Sequence, residues 1–194
     1  MRIMKFVQGH IICALLAAVV VTPVQAEQLS ESSARKFMEY AWTLVPGQFT
    51  PPNGKTITID KTNKEAVMVP LDVAREVIRV GRMSAHAQRC DLLNEQVLNY
   101  RTLMFREGLK KKWSEQQMVF ISQLHLTTVM LLTGKVRITE NQNGKEVEID
   151  ESAAKAATCS DEQKAKVKDI IVAYVNNGPK FAKAASEAPA ATQQ

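Results

Sequence analysis

The strongest constraint on the fold is a segment of 15 residues, Met118 to Leu132, that is apolar on nearly every helical face. Ser114 and Gln117 form the pattern of a capping box in front of it, and Trp113 and Met118 occupy the two positions of a hydrophobic staple. A helix that is apolar all round belongs at the centre of a bundle. The segment is too short and too polar for a membrane span. We therefore predict a mainly α fold, a bundle of about five to six helices around this buried helix.

Apolar residues at helical spacing predict the other helices of the bundle. The predicted ranges are residues 30–45, 71–90, 93–107 and 160–178, with a short Ala-rich helix at 151–158. Pro70 marks the entrance of the 71–90 helix, and Gly108 is a stop signal after the 93–107 helix. Ser160 is the predicted N-cap of the last helix. The start of this last helix resembles that of small periplasmic helical chaperones. Ordinary capping explains the same residues equally well, so the sequence is not assigned to a family.

Two segments alternate apolar and polar residues, which predicts two small β-hairpins. In the first, Ile57 and Ile59 would pair with the returning Val67 and Val69 around a turn at residues 60–65. The second covers residues 136–150, where Asn143-Gly144 is a preferred two-residue turn. Folding about that turn predicts two cross-strand pairs. They are Ile138 with Ile149 and Arg137 with Asp150.

The N-terminal 26 residues have the three parts of a secretory signal peptide. Arg2 and Lys5 precede an apolar run of about 11 residues, and small residues precede a cleavage position after Ala26. The run is well short of the roughly 20 residues of a membrane-spanning helix, although an uncleaved anchor is the alternative. We therefore predict a periplasmic protein with one helical domain at residues 27–178 and a disordered Ala/Pro-rich tail at 179–194.

Cleavage would leave a mildly basic chain with two cysteines. Without the signal, 23 basic and 20 acidic residues remain, a net charge of +3 that does not predict a nucleic-acid partner. Cys13 leaves with the signal, and Cys90 and Cys159 remain. In an oxidising compartment these two are expected to form a disulfide. Closing a loop of about 70 residues could stabilise the fold by roughly 4 kcal/mol in the chain-entropy model. The alternative is a pair of unpaired thiols.

A cationic stripe is the most distinctive surface feature of the predicted 71–90 helix. Its spacing of 4, 3, 4 and 3 residues places all members within an arc of about 80°. The cationic stripe consists of Arg75, Arg79, Arg82, His86 and Arg89. It predicts a site for an anionic partner, such as an acidic protein surface, a lipid headgroup or a polyanion. The alternative is a solvated face paired with neighbouring glutamates. Residues 110–112, three lysines, extend the stripe only if the fold brings them close.

His125 lies within the predicted central helix, where a polar group needs a partner. It is either a ligand-binding or acid–base histidine, or a core histidine hydrogen-bonded to a backbone carbonyl or to a nearby threonine or glutamine. His86 and Cys90 share a helix face, and with His125 and Cys159 they form a conceivable two-His, two-Cys metal set. The arginines around His86 disfavour a cation, and the cysteines are better used in a disulfide. No metal and no cofactor are therefore predicted.

The sequence favours a binding protein over an enzyme. It contains no Gly-x-Ser-x-Gly elbow, no His-Glu-x-x-His and no Cys-x-x-Cys pair. The leading hypothesis is a non-enzymatic periplasmic protein that binds an anionic protein or envelope component through the cationic stripe. The alternative is a binder of a small ligand or metal built around His125 and His86. A hydrolase of unfamiliar type would require a polar cleft with a perturbed acid or histidine.

Overall fold

A computed structural model describes residues 29–52, 54–136, 139–142, 145–148 and 159–179. Within these ranges the chain is mainly helical, which confirms the predicted bundle. The helices are α1 (Glu31–Leu44), α2 (Lys64–Val67), α3 (Leu71–Arg89), α4 (Leu93–Leu109), α5 (Glu115–Leu132) and α6 (Asp161–Asn176). Two antiparallel strand pairs accompany them, β1 (Gln48–Phe49) with β2 (Ile57–Thr58) and β3 (Thr139–Gln142) with β4 (Lys145–Glu148).

The predicted central helix is α5, which packs against α1, α2, α3 and α4. Its capping box is present in full, because Gln117 N–H donates to Ser114 Oγ and Ser114 N–H donates to Gln117 Oε1. Phe120, Ile121 and Leu124 are fully buried. Burying an aromatic and two aliphatic side chains of this size contributes roughly 1.5–3 kcal/mol for each of them. The apolar pattern thus determined both the helix and its place in the core.

Helix α3 lies against α5 at very short range. A Cβ atom built on Gly81 would stand 2.7 Å from Thr128 Cβ and 3.3 Å from the backbone oxygen of His125. The small residues Ala74, Ala85 and Ala87 on the same helix are buried as well. Small side chains bring the two helix axes together, so a hydroxyl on α3 can reach a side chain on α5.

The first predicted hairpin is wrong in its second arm. Ile57 in β2 pairs with Phe49 of β1, upstream of the segment that was predicted to form the partner. The predicted return strand instead contains the single helical turn α2, which Asn63 caps by accepting from Ala66 N–H at 3.2 Å. Val67 lies in this turn and is buried. Because either a strand or a helical turn can bury that valine, the alternating pattern did not decide the conformation. The Asn63 cap and the tertiary packing favoured the helical turn.

The second predicted hairpin has the predicted register. Thr139 pairs with Glu148 and Gln142 with Lys145, which is the alignment expected from a two-residue turn. The pairs Ile138–Ile149 and Arg137–Asp150, the predicted 151–158 helix, the signal segment and the tail after Pro179 lie outside the described residues. The stop predicted at Gly108 is wrong by one residue, since α4 continues through Leu109. Lys111 takes the left-handed conformation there, with φ of 51°.

Helix α6 packs on α3 and α4 and is fixed at both ends. At its start, the predicted disulfide is present, with a Cα–Cα distance of 5.1 Å between Cys90 and Cys159. At its end, Arg106 of α4 donates to Val175 O at 3.1 Å and lies 4.7 Å from the Tyr174 ring centroid. Ile171 is the one α6 residue buried completely. Because that apolar anchor is small, the disulfide and Arg106 do much of the positioning.

The close packing of α3 on α5 generates a stability prediction. Gly81→Ala is expected to lower the free energy of unfolding by about 2 kcal/mol, because the new methyl group overlaps Thr128 and forces the helices apart. The matched control is Gly108→Ala, since no atom lies within 4 Å of a Cβ at that helical glycine. The control should be neutral or up to about 1 kcal/mol more stable, as alanine favours helix. Urea unfolding followed by circular dichroism measures both. Equal values for the two variants would contradict the close approach.

Candidate functional site

A cavity of about 510 Å³ opens between α4 and α5. It also touches the last turn of α3 through Gln88 and the segment after α5 through Lys135. The volume lies within the range of ligand pockets. The other lining residues are Gln96, Val97, Tyr100, Ser122, His125, Leu126, Val129 and Met130. We call this space the α4–α5 cavity.

Apolar side chains at the mouth of the α4–α5 cavity remain open to solvent. Val97 and Leu126, which line it, are each 48% exposed. Leu93 does not line the cavity, but it lies one turn before Val97 on α4 and is 61% exposed. Val129 continues the same wall inward and is buried. Single exposed apolar residues are normal, but a group of them around a cavity is typical of a binding surface.

A buried polar network joins the cavity to the α3–α5 contact. His125 Nε2 lies 3.0 Å from Ser84 Oγ, and Asn99 Nδ2 donates to the same oxygen at 2.9 Å. Asn99 Nδ2 also lies 3.0 Å from Val80 O. All three polar side chains are buried. One nitrogen of His125 is thus bonded inside the core, although its partner is a serine of α3 and not the backbone carbonyl, threonine or glutamine that the sequence suggested.

The network is compatible with either neutral tautomer of His125. Ser84 Oγ accepts a hydrogen from Asn99 Nδ2, and it can either donate its own hydrogen to His125 Nε2 or accept a second one from it. In the first arrangement Nδ1 is a hydrogen-bond donor, and in the second it is an acceptor. Two buried side-chain atoms of the described residues lack a partner, Arg75 Nε and Asn99 Oδ1. Because His125 Nδ1 is not one of these enclosed atoms and makes no hydrogen bond, it opens onto the cavity.

Tyr100 and Ser122 form a second polar pair on the cavity wall. Their hydroxyl oxygens are 2.7 Å apart, and the Tyr100 ring centroid lies 5.0 Å from that of His125. One of the two hydroxyls donates in this bond, so the other keeps a hydrogen for a third partner. Tyr100 comes from α4 and Ser122 from α5, so the pair forms only when the helices pack.

Burial lowers the pKa of His125 from 6.5 to about 4. The ring is 5% exposed, and an enclosed imidazole loses much of the hydration that stabilises its charged form. At neutral pH the cavity wall therefore contains an uncharged histidine. A neutral group of this kind orients a ligand without attracting it by charge.

The arrangement of Ser84 and His125 does not form a hydrolytic site. A serine within 3.0 Å of a histidine nitrogen meets one geometric requirement of a nucleophile and its base. Ser84, however, is fully buried and does not line the cavity. His125 has no carboxylate partner among the described residues, and Asn99 donates to the same serine oxygen. A substrate carbonyl has no access to that oxygen, so the pair positions the ring.

The structure divides the cationic stripe into two parts. Arg79 is committed to the fold, because its guanidinium donates to Glu76 at 2.6 and 2.8 Å and lies 5.4 Å from the Tyr174 ring. Glu76 accordingly raises the pKa of Arg79. Arg75 is half-buried, with Nε enclosed and unpaired. The pairing with a glutamate and an aromatic ring therefore gives Arg79 a structural role, whereas Arg75 is partly enclosed without such a pair.

The second part of the stripe, Arg82, His86 and Arg89, has no ion pair within the described chain. We call these three residues the open cationic face. Arg82 and His86 are exposed, and Arg89 is half-buried. Although His86 as a whole is exposed, part of its ring is covered by the bundle, and this desolvation, together with the positive charges of Arg89 and Arg82, lowers its pKa. The arginines thus repel a further proton, as expected for a group of cations without a counter-charge.

The lysines at residues 110–112 do not extend this face. Lys110 pairs with the buried Glu107 at 2.8 Å, and Lys112 Nζ lies 4.3 Å from the Trp113 ring centroid. Trp113 Nε1 also donates to Glu107 at 2.8 Å. Lys110 and Lys112 therefore make contacts within the connection between α4 and α5. This connection lies at the opposite end of α3 from the open cationic face.

The two-His, two-Cys metal set does not exist. Its cysteines form the disulfide, and His125 bonds Ser84 inside the core. In the part of the chain that the structure describes, no group of three or more His, Cys, Asp or Glu side chains could hold a metal ion. None of the described helices combines the length and apolar character that a membrane crossing requires.

Comparison with known proteins gives no match to a family model, to a curated protein or to a solved structure. The site is therefore interpreted from its own geometry. Sequence reasoning identified His125 as a polar residue in need of a partner, but it missed Ser84, Asn99, Tyr100 and Ser122. Asn99 could have been identified from the sequence, because it is a polar residue at a core-facing position of the helical pattern of α4.

The low pKa of His125 generates a pH prediction. An unfolded histidine binds its proton near pH 6.5 and the folded one near pH 4, so the unfolded state binds more protons between these values. Above pH 6.5 the pKa difference does not reduce the free energy of unfolding. As the pH falls, the free energy of unfolding decreases, by about 3 kcal/mol at pH 4. Nuclear magnetic resonance should give a ring titration midpoint near 4. A midpoint near 6.5 would contradict the burial of the imidazole.

A variant pair separates His125 from the other described histidine. His125→Gln should show a weaker loss of stability between pH 6.5 and 4 in urea unfolding, because the titrating group is gone. His86→Gln should still lose stability between pH 6.5 and 4, by nearly as much as the wild type. The same pH dependence in wild type and His125→Gln would assign the effect to other groups.

Proposed function

We propose that this chain is a non-enzymatic binding protein of the bacterial envelope that takes a small, mainly apolar ligand into the α4–α5 cavity. The observation that carries the proposal is the unpaired His125 Nδ1, a polar atom at the wall of an otherwise largely apolar cavity. Ligand pockets commonly combine apolar walls with a few positioned polar groups. Ser84 and Asn99 hold the imidazole in place, so Nδ1 is fixed in position before a ligand arrives.

The envelope location rests on two features. The N-terminal pattern through Ala26 is that of a cleaved signal. The Cys90–Cys159 disulfide ties α3 to α6, and such bonds persist in oxidising compartments such as the periplasm. Mass spectrometry of the protein purified from a bacterial periplasmic extract should find Glu27 as the first residue. A retained Met1 would contradict export with cleavage.

The ligand proposal is tested with N-phenyl-1-naphthylamine, an uncharged apolar probe whose fluorescence rises when it leaves water. Wild type should bind it, and Leu126→Glu should weaken binding roughly fivefold or more, because an apolar contact at the mouth is lost. The matched control is Leu109→Glu, since Leu109 and Leu126 are equally exposed at 48% but Leu109 does not line the cavity. The proposal fails if the probe does not bind or if both variants weaken binding equally.

A second candidate function rests on the open cationic face. Arg82, His86 and Arg89 lack an ion pair among the described residues, which favours an anionic component of the envelope as partner. Reversing two cations near an anionic lipid surface should reduce binding at least tenfold, at about 1 kcal/mol for each basic residue. The probe is a vesicle containing phosphatidylglycerol, at low and at physiological salt.

The variants for this test keep the net charge matched. Arg82→Glu with Arg89→Glu removes the open cationic face, and Lys36→Glu with Arg101→Glu makes the same charge change at exposed positions on α1 and α4. Co-sedimentation with the vesicles should fall for the first pair of substitutions and remain near the wild-type value for the second. An equal fall would show that net charge alone governs binding.

A further inference from the structure

We propose that the ligand of the α4–α5 cavity is an amphiphile with a single alkyl chain and an anionic head group, which Lys135 meets at the mouth. This inference rests on the proposed small-ligand function and names the chemistry of its ligand. It follows from the charge of the lining, from the hydrogen-bond donor on the wall and from the length of the lining.

The lining carries one formal charge, and it is positive. The ten lining residues include Lys135 and no aspartate or glutamate. Lys135 is exposed, and its ammonium group makes no ion pair with the described residues. Its backbone is nevertheless fixed, because Lys135 N–H donates to Met130 O at 2.9 Å after the left-handed turn at Gly134. The cation is thus held beside the cavity and is free to meet an anion.

One polar pair on the wall offers a hydrogen. The Tyr100–Ser122 pair keeps one hydroxyl hydrogen beyond its internal bond, and a ligand oxygen can accept it. Because the lining contains the cation of Lys135 and no acidic residue, it disfavours a ligand with a cationic head.

The lining is elongated along α5. Its positions run from Ser122 to Met130, which corresponds to roughly 12 Å of helix axis. Leu126 and Val129 lie between these ends, and Val97 faces them from α4. Lys135 follows the end of α5, so the charge stands at one end of the surface. A long apolar body with a terminal anion fits this layout better than a compact molecule does.

The test uses four probes with the same twelve-carbon chain: dodecanoate, dodecyl phosphate, dodecanol and dodecyltrimethylammonium. Each displaces N-phenyl-1-naphthylamine from the full chain below its critical micelle concentration. The two anions should bind roughly tenfold more tightly than dodecanol, as expected for a charge-assisted contact. The cation should bind most weakly. A difference between carboxylate and phosphate would identify which anionic head the site prefers.

Lys135→Met isolates the head-group contact. In this variant the anions should lose their tenfold advantage while dodecanol binds as before. Lys36→Met, an exposed lysine on α1, is the control and should keep the advantage. Equal binding of anions and dodecanol by wild type, or an advantage that survives Lys135→Met, overturns the inference and leaves the ligand function standing. No displacement by any probe would instead overturn the proposed function itself.

Discussion

The contact between α3 and α5 is the interaction on which the rest of the structure depends. Gly81 lets the backbone of α3 approach Thr128 so closely that a side chain has no room. Phe120, Ile121 and Leu124 then fill the space between the neighbouring helices. Without this approach, the hydroxyl of Ser84 could not reach the ring of a residue on α5. The packing of the core and the geometry of the candidate site therefore have one origin.

A polar network at such a contact is costly unless its members are satisfied. Ser84 meets part of this demand by bonding both His125 and Asn99, which brings together α3, α4 and α5, while Asn99 Oδ1 has no partner. Burial keeps the imidazole neutral, and its second nitrogen is open to the cavity. The same interactions that hold the buried histidine thus position a polar atom for a ligand.

The cationic side chains of α3 serve different purposes along the helix. Arg79 contacts Tyr174 of α6, and Arg106 of α4 contacts the same ring. These contacts, with the Cys90–Cys159 disulfide, hold α6 on the bundle although its apolar anchor is small. Arg82 and Arg89 make no such contacts with the described residues. The cationic stripe is regular in sequence, but its members differ in their contacts, because only some of them lie next to α6.

The sequence alone determined the five long helices and the burial of α5. The all-apolar pattern of α5, its capping box and the register of the second strand pair follow from local chemistry and from burial, which act over short stretches of chain. The Cys90–Cys159 disulfide followed from the cysteine count and the predicted compartment. Tertiary structure decided the first strand pair, because Ile57 could be buried with either partner. It also decided the site, since the Tyr100–Ser122 and Ser84–His125 pairs join different helices. Contacts between distant residues depend on how closely helices pack, and that depends on every side chain between them.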